Sequence, residues 1–263
     1  MANITLDGRR IETAPGATIL EAARATGADI PTLCHHEALD PCGACRLCIV
    51  EASGPELKPS LMTSCNTRAA DGMVVETESP RVVNARRKSF ELLAARSPHS
   101  KLLMRLAARL GVEPARFKPA VPADGDNERD DCLRCGICIR ACTRKIGVSA
   151  IVFAGHGEDR HVAAKFEKPS SPCIGCGACA NLCPTGAIRM ADEDGRRRVF
   201  VNGRMISDLP LVKCGNCGRF FTTFRQADYV KLRLPEGLRP SPGDLCPECL
   251  RISKAAALSG FLP

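Results

Sequence analysis

Apolar and polar positions alternate at the start of the chain and then change to a helical period. Ile4 and Leu6 alternate with polar residues, and Asp7-Gly8 is typical of a tight hairpin turn before a second strand over residues 9–12. Thr18 caps a predicted helix over residues 19–25, with a glutamate at the capping-box position. A hairpin followed by a helix, closed by a strand over residues 73–77, predicts a β-grasp domain.

The pattern changes again in the following part of the chain. An apolar period of 3.6 residues between positions 82 and 110 predicts two helices, broken near Ser97-Pro98. Residues 118–128 are polar and rich in Pro and Gly, and predict a linker. A further hairpin is predicted through residues 198–206, and a short helix over residues 253–258. The pattern therefore predicts an α+β chain.

Cysteines dominate the candidate chemistry, with 17 among 263 residues. Two runs read C-x2-C-x2-C-x3-C, and the second is followed by Pro184. This spacing binds a pair of [4Fe-4S] clusters, and the fourth cysteine of each run crosses to the other cluster. The predicted ligands are Cys132, Cys135, Cys138 and Cys183 for the first cube, and Cys173, Cys176, Cys179 and Cys142 for the second. Two zinc knuckles are the alternative, which two complete runs disfavour.

Five more cysteines lie in the predicted β-grasp domain: Cys34, Cys42, Cys45, Cys48 and Cys65. With their flanking residues 33–36, 41–51 and 63–67, and with both cube motifs, they resemble the large iron–sulfur subunit of complex I over about residues 1–190. The N-terminal [2Fe-2S] domain of that subunit also occurs in the diaphorase part of NAD-reducing hydrogenases, in iron-only hydrogenases and in NAD-dependent formate dehydrogenases. The resemblance implies that Cys34, Cys45, Cys48 and Cys65 bind a [2Fe-2S] cluster and that Cys42 is the spare.

Two other interpretations of the N-terminal cysteines stay open. Cys42, Cys45 and Cys48 could form a third cube motif, although the strand predicted after them fits the β-grasp better. His35 and His36 could indicate a Rieske cluster, in which two His replace two Cys, but a full set of cysteines disfavours this. Many relatives also hold a cube with one His and three Cys in the helical stretch. His99 has no cysteine near it there, so we predict that this cluster is absent.

The last part of the chain carries two C-x2-C pairs, separated by 28 residues. Two such pairs offer four thiolates to a tetrahedral metal, so Cys214, Cys217, Cys246 and Cys249 predict a zinc-ribbon-like module. Phe220, Phe221 and Phe224 are candidates for its small core. A rubredoxin-type iron or a further cluster has a compatible number of ligands, and zinc is favoured over both.

Aromatic content, charge and cysteine usage narrow the class of protein. Nine Phe, one Tyr and no Trp favour several small modules over one large core. The formal charge of +8 suggests nucleic-acid binding, but four metal centres at about −2 each would bring the loaded chain near neutrality. No secretory signal and no apolar run near the ~18 residues of a bilayer span are visible. We therefore expect a cytoplasmic protein without membrane insertion, whose thiols bind metals.

These features predict four units: a [2Fe-2S] β-grasp domain (1–78), a helical connector and linker (79–125), a two-[4Fe-4S] ferredoxin domain (126–192), and a C-terminal hairpin with the zinc-ribbon-like module (193–263). No P-loop, H-E-x-x-H or nucleophile-elbow motif is present, so the sequence offers electron carriers without an evident active site.

The resemblance implies an iron–sulfur subunit of a hetero-oligomeric NAD(P)(H)-linked oxidoreductase. Such a subunit passes single electrons between a complex I-type flavin subunit and a catalytic subunit, because a hydride donor needs a flavin to split its electron pair. The complex could be a hydrogenase, a formate dehydrogenase, or an electron-bifurcating, heterodisulfide-reductase-like or benzoyl-CoA-reductase-like enzyme. The alternative is a nucleic-acid-binding or regulatory protein that uses clusters and zinc structurally.

Overall fold

The computed structural model describes residues 1–98, 100–112, 132–167, 172–236 and 245–259. His99 and the predicted linker at residues 118–128 lie outside the described residues. None of the described helices is both long enough and apolar enough to cross a bilayer.

The N-terminal part is a five-stranded sheet with one helix across it. Its elements are β1 (Ala2–Leu6), β2 (Arg9–Thr13), α1 (Ile19–Ala25), β3 (Ile49–Gly54), β4 (Leu57–Thr63) and β5 (Val74–Glu76). The strand order is β2-β1-β5-β3-β4, with β1 antiparallel to β2 and parallel to β5. The predicted capping box is confirmed, since Thr18 N–H donates to the Glu21 carboxylate at 2.7 Å. Strand β4 was not predicted.

Two helices, α2 (Pro80–Arg96) and α3 (Lys101–Leu110), follow the sheet. The predicted break between them is confirmed. Ser79 caps α2 by accepting from Val82 N–H at 3.3 Å, and Pro80 occupies its first turn. Phe90 of α2 and Leu103 of α3 share one buried cluster with Leu33 and Leu47 of the N-terminal domain. The helix pair is therefore packed against the loop that carries the first cysteines.

The ferredoxin-like part contains short helices and one small hairpin. Its elements are α4 (Ile137–Arg140), a π-helix (Ala141–Ile146), β6 (Ile151–Ala154), β7 (His161–Ala164) and α5 (Ala178–Asn181). Strands β6 and β7 pair antiparallel. Each short helix follows a glycine with positive φ, Gly136 (+71°) before α4 and Gly177 (+74°) before α5, so each cysteine run turns tightly into its helix.

A four-stranded antiparallel sheet with two helices forms the last part. Its elements are β8 (Ile188–Glu193), β9 (Arg196–Val201), β10 (Arg204–Lys213), β11 (Phe220–Thr223), α6 (Phe224–Arg233) and α7 (Pro247–Ser259). The strand order is β11-β10-β9-β8. Strand β8 pairs with β9 over six residues, so the sheet runs across the predicted boundary at 192/193. The final helix is longer than predicted, and α6 was not predicted.

Candidate metal-cluster sites

The four cysteines predicted to bind a [2Fe-2S] cluster lie together at one end of the N-terminal sheet. Cys34, Cys45 and Cys48 come from the chain between α1 and β3, and Cys65 follows β4. Each has at most 6% of its surface exposed. Cys45 N–H donates to Cys34 Sγ at 3.4 Å. This dry pocket with convergent thiols fits the cluster.

Hydrogen bonds between sulfurs favour the thiolate at three of these cysteines, whereas donating those bonds, together with burial, raises the pKa of Cys34 and of Cys65. The Cys34 thiol donates to its neighbours, which lowers the pKa of Cys42 to about 5 and that of Cys45 to about 6. Donation from Cys65 and its backbone N–H lowers the pKa of Cys48 to about 7. Backbone N–H groups that converge on sulfur also stabilise a bound cluster's negative charge.

Gly43 explains how the backbone comes so close to the sulfurs. Its φ is +61°, and a Cβ there would lie 3.1 Å from Thr63 Oγ1 and from Asn66 Nδ2. The Gly43 N–H bonds to the sulfur of Cys65. A residue without a Cβ therefore suits this position, where the backbone approaches a sulfur.

Cys42 is the exposed member of the five N-terminal cysteines. Its sulfur nevertheless contacts Cys34, so the structure gathers five thiols where four ligands are needed. The other four are buried and Cys42 is not, and its interpretation as the spare stays a prediction.

The first cube set is gathered from both runs. Cys138 interacts electrostatically with Cys132, Cys135, Cys179 and Cys183, and Cys135 also interacts with Cys183. Cys183 of the second run therefore lies among the thiols of the first run, as the predicted crossover requires. Burial, followed by these neighbouring sulfurs, raises the pKa of Cys138. A buried group of thiolates requires a cationic partner, and an iron cluster supplies one.

The second cube set lines a cavity of its own. Cys142, Cys173, Cys176 and Cys179 border one small cavity together with apolar side chains. Ile151, Val199 and Ile206 are among the apolar ones. Ala150 N–H donates to Cys142 Sγ at 3.2 Å, and burial raises the pKa of Cys179 to about 12. An apolar chamber with four thiols and a backbone donor fits a [4Fe-4S] cluster.

The [2Fe-2S] pocket and the first cube set adjoin each other. Cys34 and Cys45 share a buried cluster with Leu133, and Cys135 packs against it. Arg140, between the third and fourth cysteines of the first run, donates to the carbonyls of Cys34 and Asp40, each at 2.5 Å. Sequence reasoning did not find this arginine, because its partners lie at least 100 residues away.

The tail cysteines form the most compact set of thiols. The Sγ atoms of Cys214, Cys217, Cys246 and Cys249 all lie within 4.8 Å of one another, and no other described group of three or more potential ligands is this compact. Cys217 and Cys246 are 3.8 Å apart at sulfur. Four thiolates at about 2.3 Å from one tetrahedral metal are separated by about 3.8 Å. The site therefore fits a single metal ion, whereas a cube, with each thiolate on a different iron, needs wider spacing.

Backbone donors complete the tail site. Cys246 N–H donates to Cys214 Sγ at 3.3 Å, and with Cys217 N–H lowers the pKa of Cys214 to about 6. Arg219 contacts Cys246 Sγ at 3.8 Å and Glu248 at 2.5 Å. The guanidinium thus offsets part of the charge that four thiolates leave on a divalent ion.

The framework around the tail site differs from the sequence-based expectation in its aromatic core. Cys214 and Cys217 lie in the turn between β10 and β11, and Cys246 and Cys249 lie at the start of α7. Only Phe221 of the three candidate core residues packs against the cysteines, while Phe220 and Phe224 are 46% and 52% exposed. The expected aromatic core was therefore wrong for these two.

Protein-family models match the same regions. Residues 1–80 match a 2Fe-2S iron-sulfur cluster binding domain, and residues 127–190 match a 4Fe-4S dicluster domain. A second 4Fe-4S dicluster model matches residues 172–219. The two 4Fe-4S matches overlap, so fold, cysteine geometry and family models together define the chain as an iron–sulfur protein with a [2Fe-2S] domain and a 4Fe-4S dicluster region.

Three comparisons refine this class. A solved chain of an NAD⁺-reducing [NiFe]-hydrogenase aligns with a TM-score of 0.59 and 31% identity, over 70% of this chain and 85% of that one. The NADP-reducing hydrogenase subunit HndD of Solidesulfovibrio fructosivorans is 34% identical over 72% of this chain and 36% of its own length. An NADH-quinone oxidoreductase subunit of Rhizobium meliloti is 31% identical over 89% of this chain and 29% of its own.

These relationships show the family. The chain belongs to the iron–sulfur electron-transfer subunits of NAD(P)H-linked oxidoreductases, as its sequence resemblance implied. It spans only about a third of the length of the two curated relatives.

Proposed function

We propose that this chain conducts single electrons within a multi-subunit NAD(P)(H)-linked oxidoreductase. One observation carries the proposal: the described cysteines gather into a [2Fe-2S]-type pocket and two cube-type sets that are adjacent in space. The chain would take electrons one at a time from a flavin subunit and pass them to a catalytic subunit, or conduct in the reverse direction.

The order of the carriers follows from the packing. We place the [2Fe-2S] cluster on Cys34, Cys45, Cys48 and Cys65, next to the first cube on Cys132, Cys135, Cys138 and Cys183. The contacts of Cys135 with the Cys34 and Cys45 cluster support this adjacency. The second cube, on Cys142, Cys173, Cys176 and Cys179, follows, because Cys138 and Cys142 are one helical turn apart and Cys179 is close to Cys138.

We further propose that Cys214, Cys217, Cys246 and Cys249 hold one structural zinc ion. Support comes from the mutual distances within 4.8 Å and the backbone donors to sulfur. A single tetrahedral iron has the same geometric requirement and is the second candidate. Zinc is placed first because a closed four-cysteine tetrahedron is the usual arrangement of structural zinc sites.

The flavin subunit and the catalytic subunit are proposed partners in a hetero-oligomer, and the cytoplasm is the proposed compartment. The partners are inferred from the relatives, which are hydrogenase and NADH-quinone oxidoreductase subunits. The compartment is inferred from seventeen free cysteines, which a reducing environment preserves.

The proposal is tested on the tagged chain isolated anaerobically from its native cells. We expect a co-purifying flavoprotein, and we expect NADH or NADPH to bleach the cluster absorption of the complex. The recombinant chain alone should be bleached by dithionite but not by NAD(P)H. Absence of dithionite-reducible clusters, or salt-dependent binding to DNA or RNA without them, would contradict the proposal.

A further inference from the structure

The loop that begins the second cysteine run is held from outside by the C-terminal sheet. Three successive carbonyls, at Cys173, Ile174 and Gly175, each accept a hydrogen bond from a different side chain. Arg225 Nη1 donates to Cys173 O at 3.3 Å, Thr223 Oγ1 donates to Ile174 O, and Arg197 Nη1 donates to Gly175 O at 2.9 Å. Thr223 is fully buried and Arg197 is 8% exposed, so two of these bonds lie inside the molecule.

The donors are themselves held in place. Asp192 binds the Arg197 guanidinium through both carboxylate oxygens, at 2.8 and 2.7 Å. Thr223 ends β11 and caps α6, since its Oγ1 also accepts from Gln226 N–H at 3.1 Å. The loop approaches so closely that a Cβ on Gly175 would lie 2.7 Å from the Thr223 methyl. The contact is therefore a packed interface and not a loose surface bond.

The direction of these three carbonyl groups also determines the direction of the N–H group in each of the same peptide units. In a trans peptide the C=O and N–H groups point in opposite directions. The N–H groups of Ile174, Gly175 and Cys176 therefore point away from the three donors. These residues line the cavity shared by Cys142, Cys173, Cys176 and Cys179. N–H groups directed at cluster sulfurs, and positive charge nearby, stabilise the reduced form and raise the reduction potential.

We propose that Arg197, Thr223 and Arg225 are positioning residues that raise the reduction potential of the second [4Fe-4S] cluster by aiming three backbone amides at it. This rests on the proposed function, because it takes the second cysteine set to hold a redox-active cube. The C-terminal sheet then tunes the last carrier in the described part of the chain. The first run has a corresponding bond at its first cysteine, from Ser97 Oγ to Cys132 O at 3.2 Å.

The test is a redox titration followed by EPR on the full chain purified anaerobically. T223V removes the hydroxyl and keeps the side-chain shape, T223S restores the hydroxyl, and R197Q removes the charge. R198Q is the matched control, since Arg198 is the next residue of β9 and pairs with surface carboxylates, those of Glu193 and Asp208.

In T223V and R197Q we expect one cube step to move to lower potential. At a fixed potential near the midpoint, the oxidised-to-reduced ratio of that cube should rise about tenfold, which is 59 mV for one electron. The other cube and the [2Fe-2S] step should not move. T223S and R198Q should titrate like the unaltered chain.

Iron analysis separates the possible failures. If the unaltered chain holds no reducible clusters, the proposed function fails. If T223V and R197Q keep full iron but titrate like the unaltered chain, only the tuning role fails. If R197Q alone loses iron, the comparison of T223V with T223S decides whether the tuning role holds. Loss of iron in T223V overturns the tuning role, because the contact would then serve assembly alone.

Discussion

The guanidinium of Arg140 donates to the backbone carbonyl of Cys34 across 106 residues of sequence, at 2.5 Å. Arg140 lies in the helix of the first cube run, and Cys34 is a proposed ligand of the [2Fe-2S] cluster. One side chain therefore joins two cluster-bearing loops. Its other terminal nitrogen donates to the Asp40 carbonyl at 2.5 Å, so the arginine binds the N-terminal loop at two points.

We predict that R140Q removes the hydrogen bonds between the two loops and leaves every proposed cluster ligand in place. Two hydrogen bonds from a charged donor are lost, and each contributes about 1.5–3 kcal/mol. Denaturant unfolding of the cluster-loaded chain should show a stability loss of about 3 kcal/mol or more. R144Q, an exposed arginine on the adjoining π-helix, is the control and should unfold like the unaltered chain. Equal stability of both variants would remove this role of Arg140.

Cys42 is predicted to be dispensable for the [2Fe-2S] cluster. It is exposed, whereas the four proposed ligands are buried, so C42S should keep the iron content and the visible circular dichroism of that cluster. C48S is the comparison and should lose two irons per chain. Loss of two irons in C42S would make Cys42 a ligand and require a different set.

Gly175, inside the second cysteine run, and Gly186, three residues after its end, form a matched pair. Both have positive φ, +69° and +72°, but a Cβ on Gly175 meets Thr223, Leu209 and Arg197, while one on Gly186 meets nothing within 4 Å. G186A should cost about 1 kcal/mol, the strain of a left-handed residue. G175A adds a steric clash and should cost at least twice as much, with loss of cube iron on heating. Comparable melting temperatures would contradict the packed interface.

Most of the elements that locate the cysteines could be predicted from local sequence. The capping box of Thr18 and Glu21, the break at Ser97-Pro98 and the cysteine spacings each act over a few residues, so they are visible without the fold. The β8–β9 pairing and helix α6 were harder to predict from the sequence. In the case of α6, none of its residues is buried, so it shows no strong apolar face.

Contacts between distant parts of the chain could not be predicted. The Thr223 bond to Ile174 and the Arg140 bond to Cys34 span 49 and 106 residues, and no residue pattern marks either pair. Thr223 looks like an ordinary helix cap, and Arg140 like a surface residue of a short helix. Each can bind a cysteine loop only because the fold brings that loop beside it.

We propose that three clusters and one metal ion occupy the four sets of four cysteines. Iron, zinc and acid-labile sulfide, measured per chain on protein purified without oxygen, report this occupancy. We expect about ten irons, about ten sulfides and one zinc, from one [2Fe-2S] cluster, two cubes and one tetrahedral site. About eleven irons with no zinc would place a single iron at the tail site. Two or fewer irons with several zincs would contradict the electron-transfer function.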